Sequence, residues 1–233
     1  MINNLEEKIL KVPSKNQMNV MKYDQISINK EGSPRILILG NSVTRHPPKE
    51  DIGWHGDWGM AASCMDNDYV HVLMRNILEE YPNAAFCITQ GSTWEETMGQ
   101  CDYEEYFPVA KEFQPDIILN TLEANIPVKT FDGEVFKREM RRLHQHLTPP
   151  GGKVKIIMAS SICSVPVKDI AIEEYAKEKN GYYVYVGDIF AKDENLAIGL
   201  FEHEGVAHHP GDLGMKCLAE RYAKVLKEII PTL

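Results

Sequence analysis

Ile36-Leu37-Ile38-Leu39-Gly40-Asn41-Ser42-Val43-Thr44 is the stretch on which the fold turns. Four unbroken aliphatic residues between Pro34 and Gly40 describe a strand buried on both faces; a strand wetted on one face alternates apolar and polar positions instead. Four further runs repeat the theme: Ala84-Ala85-Phe86-Cys87-Ile88-Thr89, Ile117-Ile118-Leu119-Asn120-Thr121, Val154-Lys155-Ile156-Ile157-Met158 and Tyr182-Tyr183-Val184-Tyr185-Val186. Amphipathic segments near 68–81, 94–107, 134–147, 167–179 and 212–229 separate them and predict helices. Glu79 and Glu80 close the first of these, and Pro82-Asn83 ends it. Strands alternating with helices imply a parallel sheet covered on both faces.

The expected architecture is therefore α/β, a three-layer α/β/α flavodoxin-like fold with a central five-stranded parallel sheet. With 233 residues, one domain over 1–233 is expected, residues 1–30 forming an N-terminal extension on the sheet edge. A hydrophobic fraction of 43% with 25% charged residues excludes disordered, collagen-like and disulfide-scaffold classes. The net charge of −9 argues against a nucleic-acid partner, which needs clustered cations. Lys137-Arg138 and Arg141-Arg142 sit among acids and read as a solvated, ion-paired helix face. The five cysteines, 64, 87, 101, 163 and 217, are odd in number and read as buried free thiols in a reducing compartment. No secretory signal and no run of ~20 apolar residues is visible, so no membrane partner is expected and the location expected is cytoplasmic, unless a leader has been removed.

In an open parallel sheet, ligands bind beyond the carboxyl ends of the strands. Just there, Gly40-Asn41-Ser42-Val43-Thr44 places a serine on a tight strand-to-helix turn, suited to a nucleophile beside its own backbone N–H. The same turn also suits a phosphate loop or a plain polar loop. Near the other end, His208-His209-Pro210-Gly211-Asp212 puts an imidazole at a helix entrance with Asp212 as the expected N-cap. His209 could serve as a general base or be a bystander. A His-His pair invites a metal, but no third and fourth ligands follow at convincing spacing, so neither a metal nor any other cofactor is expected.

Together these blocks resemble those of the SGNH/GDSL hydrolases. Gly40-Asn41-Ser42 is similar to the family's Gly-Asp-Ser, and His209-Pro210-Gly211-Asp212 to its His-Pro-x-Asp. Gln90-Gly91-Ser92 follows the second strand and Glu123-Ala124-Asn125 the third, where the family places oxyanion-hole residues. The ordered set spans residues from about 35 to 228. The resemblance implies Ser42 as nucleophile and His209 as base, with an oxyanion hole of the Ser42 and Gly91 N–H groups and the Asn125 side-chain amide. Gly91 is expected to let its backbone approach the substrate.

Three positions depart from the pattern. The Asp three residues before the family's histidine is Val206 here, and counting from His208 gives Gly205. Glu204, Glu202 or a backbone carbonyl could orient His209; Glu204 is favoured. Glu123 stands where a glycine is usual and is expected to point away from the oxyanion hole. Asn41 replaces an aspartate that is usually structural, so activity is expected to survive.

The loop from Arg45 to Asp68 contains Gly53-Trp54-His55-Gly56-Asp57-Trp58-Gly59-Met60 and resembles a subgroup with a Gly-Asn-Ser first block. Trp54, His55 and Trp58 are candidate substrate-binding residues, with anchoring of the long loop as the alternative. The function expected is a serine esterase removing a small acyl group, acetyl by family habit, from a carbohydrate or similar small molecule. Two alternatives are a flavodoxin-like protein cradling a flavin or nucleotide at 40–45, and an SGNH-like domain that binds glycans without turning them over.

Overall fold

The computed structural model describes residues 25–29 and 31–233. Six strands form one sheet: β1 (Gln25–Ile28), β2 (Arg35–Gly40), β3 (Ala85–Gln90), β4 (Ile117–Asn120), β5 (Lys155–Ala159) and β6 (Tyr182–Val184). Their order is β1-β3-β2-β4-β5-β6, with β2 to β6 parallel and β1 antiparallel to β3. The five expected strands are thus present and parallel, and β1 adds an antiparallel edge. Most of the extension expected over 1–30 lies outside the described residues.

The α-helices are α1 (Tyr69–Leu78), α2 (Ser92–Glu96), α3 (Tyr103–Tyr106), α4 (Pro108–Phe113), α5 (Gly133–Leu147), α6 (Pro166–Glu178), α7 (Gly187–Phe190), α8 (Glu204–Ala207) and α9 (Asp212–Ile229). The single helix expected over 94–107 is instead the α2, α3 and α4 series. Met98 and Gly99 both adopt positive φ, ending the first turn, and Asp102 then caps a new start by accepting from Glu104 N and Glu105 N.

Period-2 alternation divides the core in two. Ile36 and Ile38 pack with Phe86, Ile88 and Leu119 beneath α1 and α9, while Leu37, Leu39, Cys87 and Ile118 face α4, α5 and α6. Every one of these strand residues is buried, as an aliphatic run covered on both faces requires. Tyr69 and Tyr222 close the first layer edge to face, 5.6 Å apart.

The basic cluster on α5 is an ion-paired face, as expected. Lys137 reaches Glu134 and Glu174, at 2.6 and 2.7 Å, and Arg141 reaches Glu178 at 2.5 Å. Of the five cysteines only Cys87 is buried; Cys64 and Cys163 are exposed, against the expectation of buried thiols. No helix among the described residues is long and apolar enough to cross a membrane.

Strand β2 lies between β3 and β4, so the chain crosses to one side of it and then to the other. The crevice left at that reversal, beyond the carboxyl end of β2, is where α/β sheets place ligands. The segments after β2, β3 and β4 all open there.

Candidate active site

Ser42 follows β2 by two residues, in a turn closed by Thr44 N and Arg45 N donating to Asn41 O. Its hydroxyl lies 2.7 Å from Nε2 of His209, 167 residues away in the chain. On the far side of that ring, Nδ1 is 2.7 Å from the backbone carbonyl of Gly205. A carbonyl can only accept, so Nδ1 carries the hydrogen and Nε2 turns its lone pair to the serine. Burial lowers the His209 pKa below its ordinary value; the Gly205 bond opposes this, and neighbouring His46 and His208 reinforce it. The ring is neutral at pH 7, the form that can take a proton.

Glu204, the expected orienter, does not occupy that role. It is exposed at the start of the one-turn α8, and it is its backbone carbonyl that is engaged, by His208 N and His208 Nδ1. The carbonyl of Gly205, four residues before His209, is left free by the end of that turn and meets the ring. Glu202 is likewise exposed. Asp212 does not cap α9 either: Gly211 holds the cap position, and the Asp212 carboxylate accepts from Ser63 N, Ser63 Oγ and Asn67 Nδ2.

That contact belongs to the loop 45–68, which clamps the two halves of the site together. Met60 N donates to Ser42 O and His46 N to Trp58 O, each at 2.9 Å. Trp54 and Trp58 meet edge to face at 5.6 Å, their indole N–H groups donating to His46 O and Ala62 O. A side chain at Gly56 would collide with both indoles, which accounts for a glycine between them. Trp54 also packs on Phe201 and shares a buried cluster with Ala197 and Val206, on the segment leading to His209. None of Trp54, His55 and Trp58 lines the cavity beside Ser42. Of the two readings offered for the tryptophans, their inward packing fits the anchoring of the loop, and His55 is exposed.

The oxyanion side departs from expectation in one respect. Gly91 N–H donates to Gly40 O at 2.6 Å, adding a rung to the β2–β3 ladder, and so does not face the serine. A side chain at Gly91 would press on Leu122 rather than on a substrate. The Ser42 N–H has no acceptor among the described residues, and Asn125 lines the cavity. The Asn125 amide donates to Glu95 Oε2 at 2.6 Å, with Ser92 Oγ at 3.4 Å.

Glu95, which nothing in the sequence singled out, is fully buried behind this wall. Its other oxygen accepts from Asn41 Nδ2 at 3.1 Å and Glu123 N at 2.5 Å. Burial raises its pKa to about 7, against the pull of these donors. Asn41 in turn accepts from Val43 N, which fixes which end of its amide meets Glu95. An aspartate at 41 would set a second carboxylate there. Glu123 points away from Asn125, as expected: its carboxylate binds Ile162 N and the buried Lys168, both at 2.9 Å. Burial raises its pKa, and Lys168 opposes the rise.

The cavity at Ser42 has a volume of about 500 Å³ and is lined by Val43, Ile162, Cys163, Phe190 and Leu196 besides the polar residues above. No Asp, Glu, Lys or Arg is among its lining residues. A phosphate loop at 40–45 is disfavoured, because the Thr44 hydroxyl is buried against Tyr69 OH at 2.6 Å and Ser42 is engaged by His209.

The fold is that of known esterases. Similar solved structures include the psychrotrophic esterase EstA from Pseudoalteromonas sp. (TM-score 0.56, 11% identity, 85% of this chain and 100% of that one). A carbohydrate esterase family 3 from Talaromyces cellulolyticus matches with a TM-score of 0.54 and 12% identity, over 85% of this chain and 99% of the other. A family two carbohydrate esterase from Clostridium thermocellum matches at 0.57 and 15%, over 87% of this chain, which spans 65% of that longer one. No family model matches the sequence, and no curated protein does. At these identities the likeness is one of fold.

Proposed function

We propose that the chain is a serine esterase of the SGNH/GDSL type that hydrolyses a small acyl ester, acetyl foremost, on a carbohydrate or similar neutral alcohol. The observation that carries this is the 2.7 Å contact of Ser42 Oγ with a His209 ring whose other nitrogen is held by a carbonyl. Ser42 Oγ attacks the ester carbonyl carbon while Nε2 of His209 takes its proton. The negative charge moves to the carbonyl oxygen, met by the Ser42 N–H and the Asn125 amide. The C–O bond then breaks, His209 returns the proton to the departing alkoxide, and the acyl group remains on Ser42. Water, deprotonated by the same ring, releases the acid and restores the serine. Gly205 keeps the imidazole in the working tautomer without a third side chain, so the catalytic unit is a Ser-His dyad.

The carbohydrate part draws on two supports. The cavity wall carries no charged carboxylate, ammonium or guanidinium to select a charged substrate. Among proteins of similar fold are the two carbohydrate esterases above and a two-domain esterase active on acetylated mannans. Hydrolysis of 4-nitrophenyl acetate and of an acetylated oligosaccharide, by wild type and Ser42→Ala, tests the proposal. The variant is expected to lose ~10³-fold or more on both. Equal rates for the two proteins remove the esterase.

A further inference from the structure

We infer that Glu95 is a positioning residue for the oxyanion donor Asn125, locking its amide so that an N–H, and not the carbonyl, faces the reacting oxygen. This rests on the esterase proposed above.

Glu95 is a carboxylate only 1% exposed, and among the described residues no lysine or arginine pairs with it. Burying such a group is costly unless its oxygens are filled by hydrogen bonds. The donors filling them come from the segments that build the site: Asn41, just before Ser42, and Glu123 N and Asn125, after β4. A purely structural buried carboxylate needs no such choice of partners; Glu123, a neighbour in the same layer, is satisfied by Lys168 and Ile162 N instead.

The consequence at Asn125 follows from amide geometry. An Asn side chain exposed to a cavity can present either its NH₂ or its oxygen, and the two are close in shape. In its ionised form Glu95 only accepts, as it does from all three donors around it, and this forbids the flipped amide, since Oδ1 would then face carboxylate oxygen. One N–H is given to Glu95 at 2.6 Å; the second, with only Ser92 Oγ at 3.4 Å, is the one available to the reacting oxygen. An oxygen presented to the developing oxyanion would repel it. At Asn41 the same carboxylate holds the amide that also accepts from Val43 N, tying the serine turn to the opposite wall.

The test is a cycle of Glu95→Gln, Asn125→Ala and the double variant, with kcat and KM measured on an acetyl ester. Asn125→Ala is expected to lower kcat about 10²–10³-fold with little change in KM. In Glu95→Gln the new amide nitrogen meets the Asn125 nitrogen, which turns Asn125 over; a fall in kcat on the order of 10²-fold is expected, again at near-constant KM. The double variant is expected to be no slower than Asn125→Ala, because Glu95 acts through that residue. Should Glu95→Gln fail to fold, Glu95→Asp keeps an acceptor and takes its place in the same cycle, with a smaller fall that again vanishes against Asn125→Ala. Wild-type kcat in the Glu95 variant, or losses that multiply in the double variant, overturn the positioning role while leaving the esterase intact. Wild type no faster than Ser42→Ala overturns both.

Discussion

The two walls of the cavity at Ser42 are held by opposite kinds of force. On the serine and histidine side, the loop 45–68 supplies backbone bonds and an apolar clamp of Trp54, Trp58 and Phe201, and a main-chain carbonyl orients the imidazole. On the Asn125 side, Glu95 and Glu123 are buried carboxylates, one fed by amides and the other by Lys168. An apolar clamp degrades gradually as contacts are trimmed, whereas a buried charge network fails abruptly when one partner goes, because the survivor cannot be rehydrated. The two walls should therefore respond differently to substitution and to pH.

The largest stability contrast is expected at Lys168. Lys168→Met leaves Glu123 buried without its cation and should destabilise by about 3–5 kcal/mol in chemical denaturation. Trp54→Phe loses the indole donor to His46 O and part of the edge-to-face contact, an expected cost of about 1–2 kcal/mol. Equal losses would break the contrast. Adding Glu123→Gln to Lys168→Met should recover part of the deficit, which sharpens it.

A smaller effect concerns pH. The working form of His209 is neutral, and burial lowers its pKa, so the neutral form persists below the ordinary value of 6.5. Read in Glu95→Gln, where the carboxylate whose pKa burial raises to about 7 no longer titrates, the acid limb of kcat/KM should thus have its midpoint below pH 6.5, activity being retained above it and lost as pH falls through the lowered value. The smallest effect is a null one. Glu204→Gln should change neither the rate nor the limb, since its carboxylate does not reach the ring. A substantial fall in rate, or a midpoint above 6.5, would restore a carboxylate orienter.

Much of this was legible in the chain. The aliphatic run at 36–39 specified a strand buried on both faces, and the alternation of Ile36 and Ile38 against Leu37 and Leu39 between two helical layers follows from it. Ser42 and His209 could be paired only through the resemblance of their blocks, taken in order along the chain, to a known family pattern; each turn alone left its role open. The orienter could not be read, because a backbone carbonyl belongs to every residue and carries no sequence signature. Trp54 and Trp58 suit a sugar face and a loop anchor equally well, and only their packing on the 197–206 segment decides. Glu95 lies next to Glu96 with nothing local to distinguish them; it is the fold that buries one and leaves the other in water. Gly91 was misassigned because a glycine after a strand fits a substrate-facing N–H as well as one more rung of the ladder.

The most direct test of the Ser42–His209 pair is reaction with a fluorophosphonate, followed by mass-spectrometric mapping of the modified residue. A single adduct on Ser42, formed at a rate that collapses in His209→Ala, is the expected result. Labelling at another residue, or at Ser42 with undiminished speed when the imidazole is gone, would contradict it.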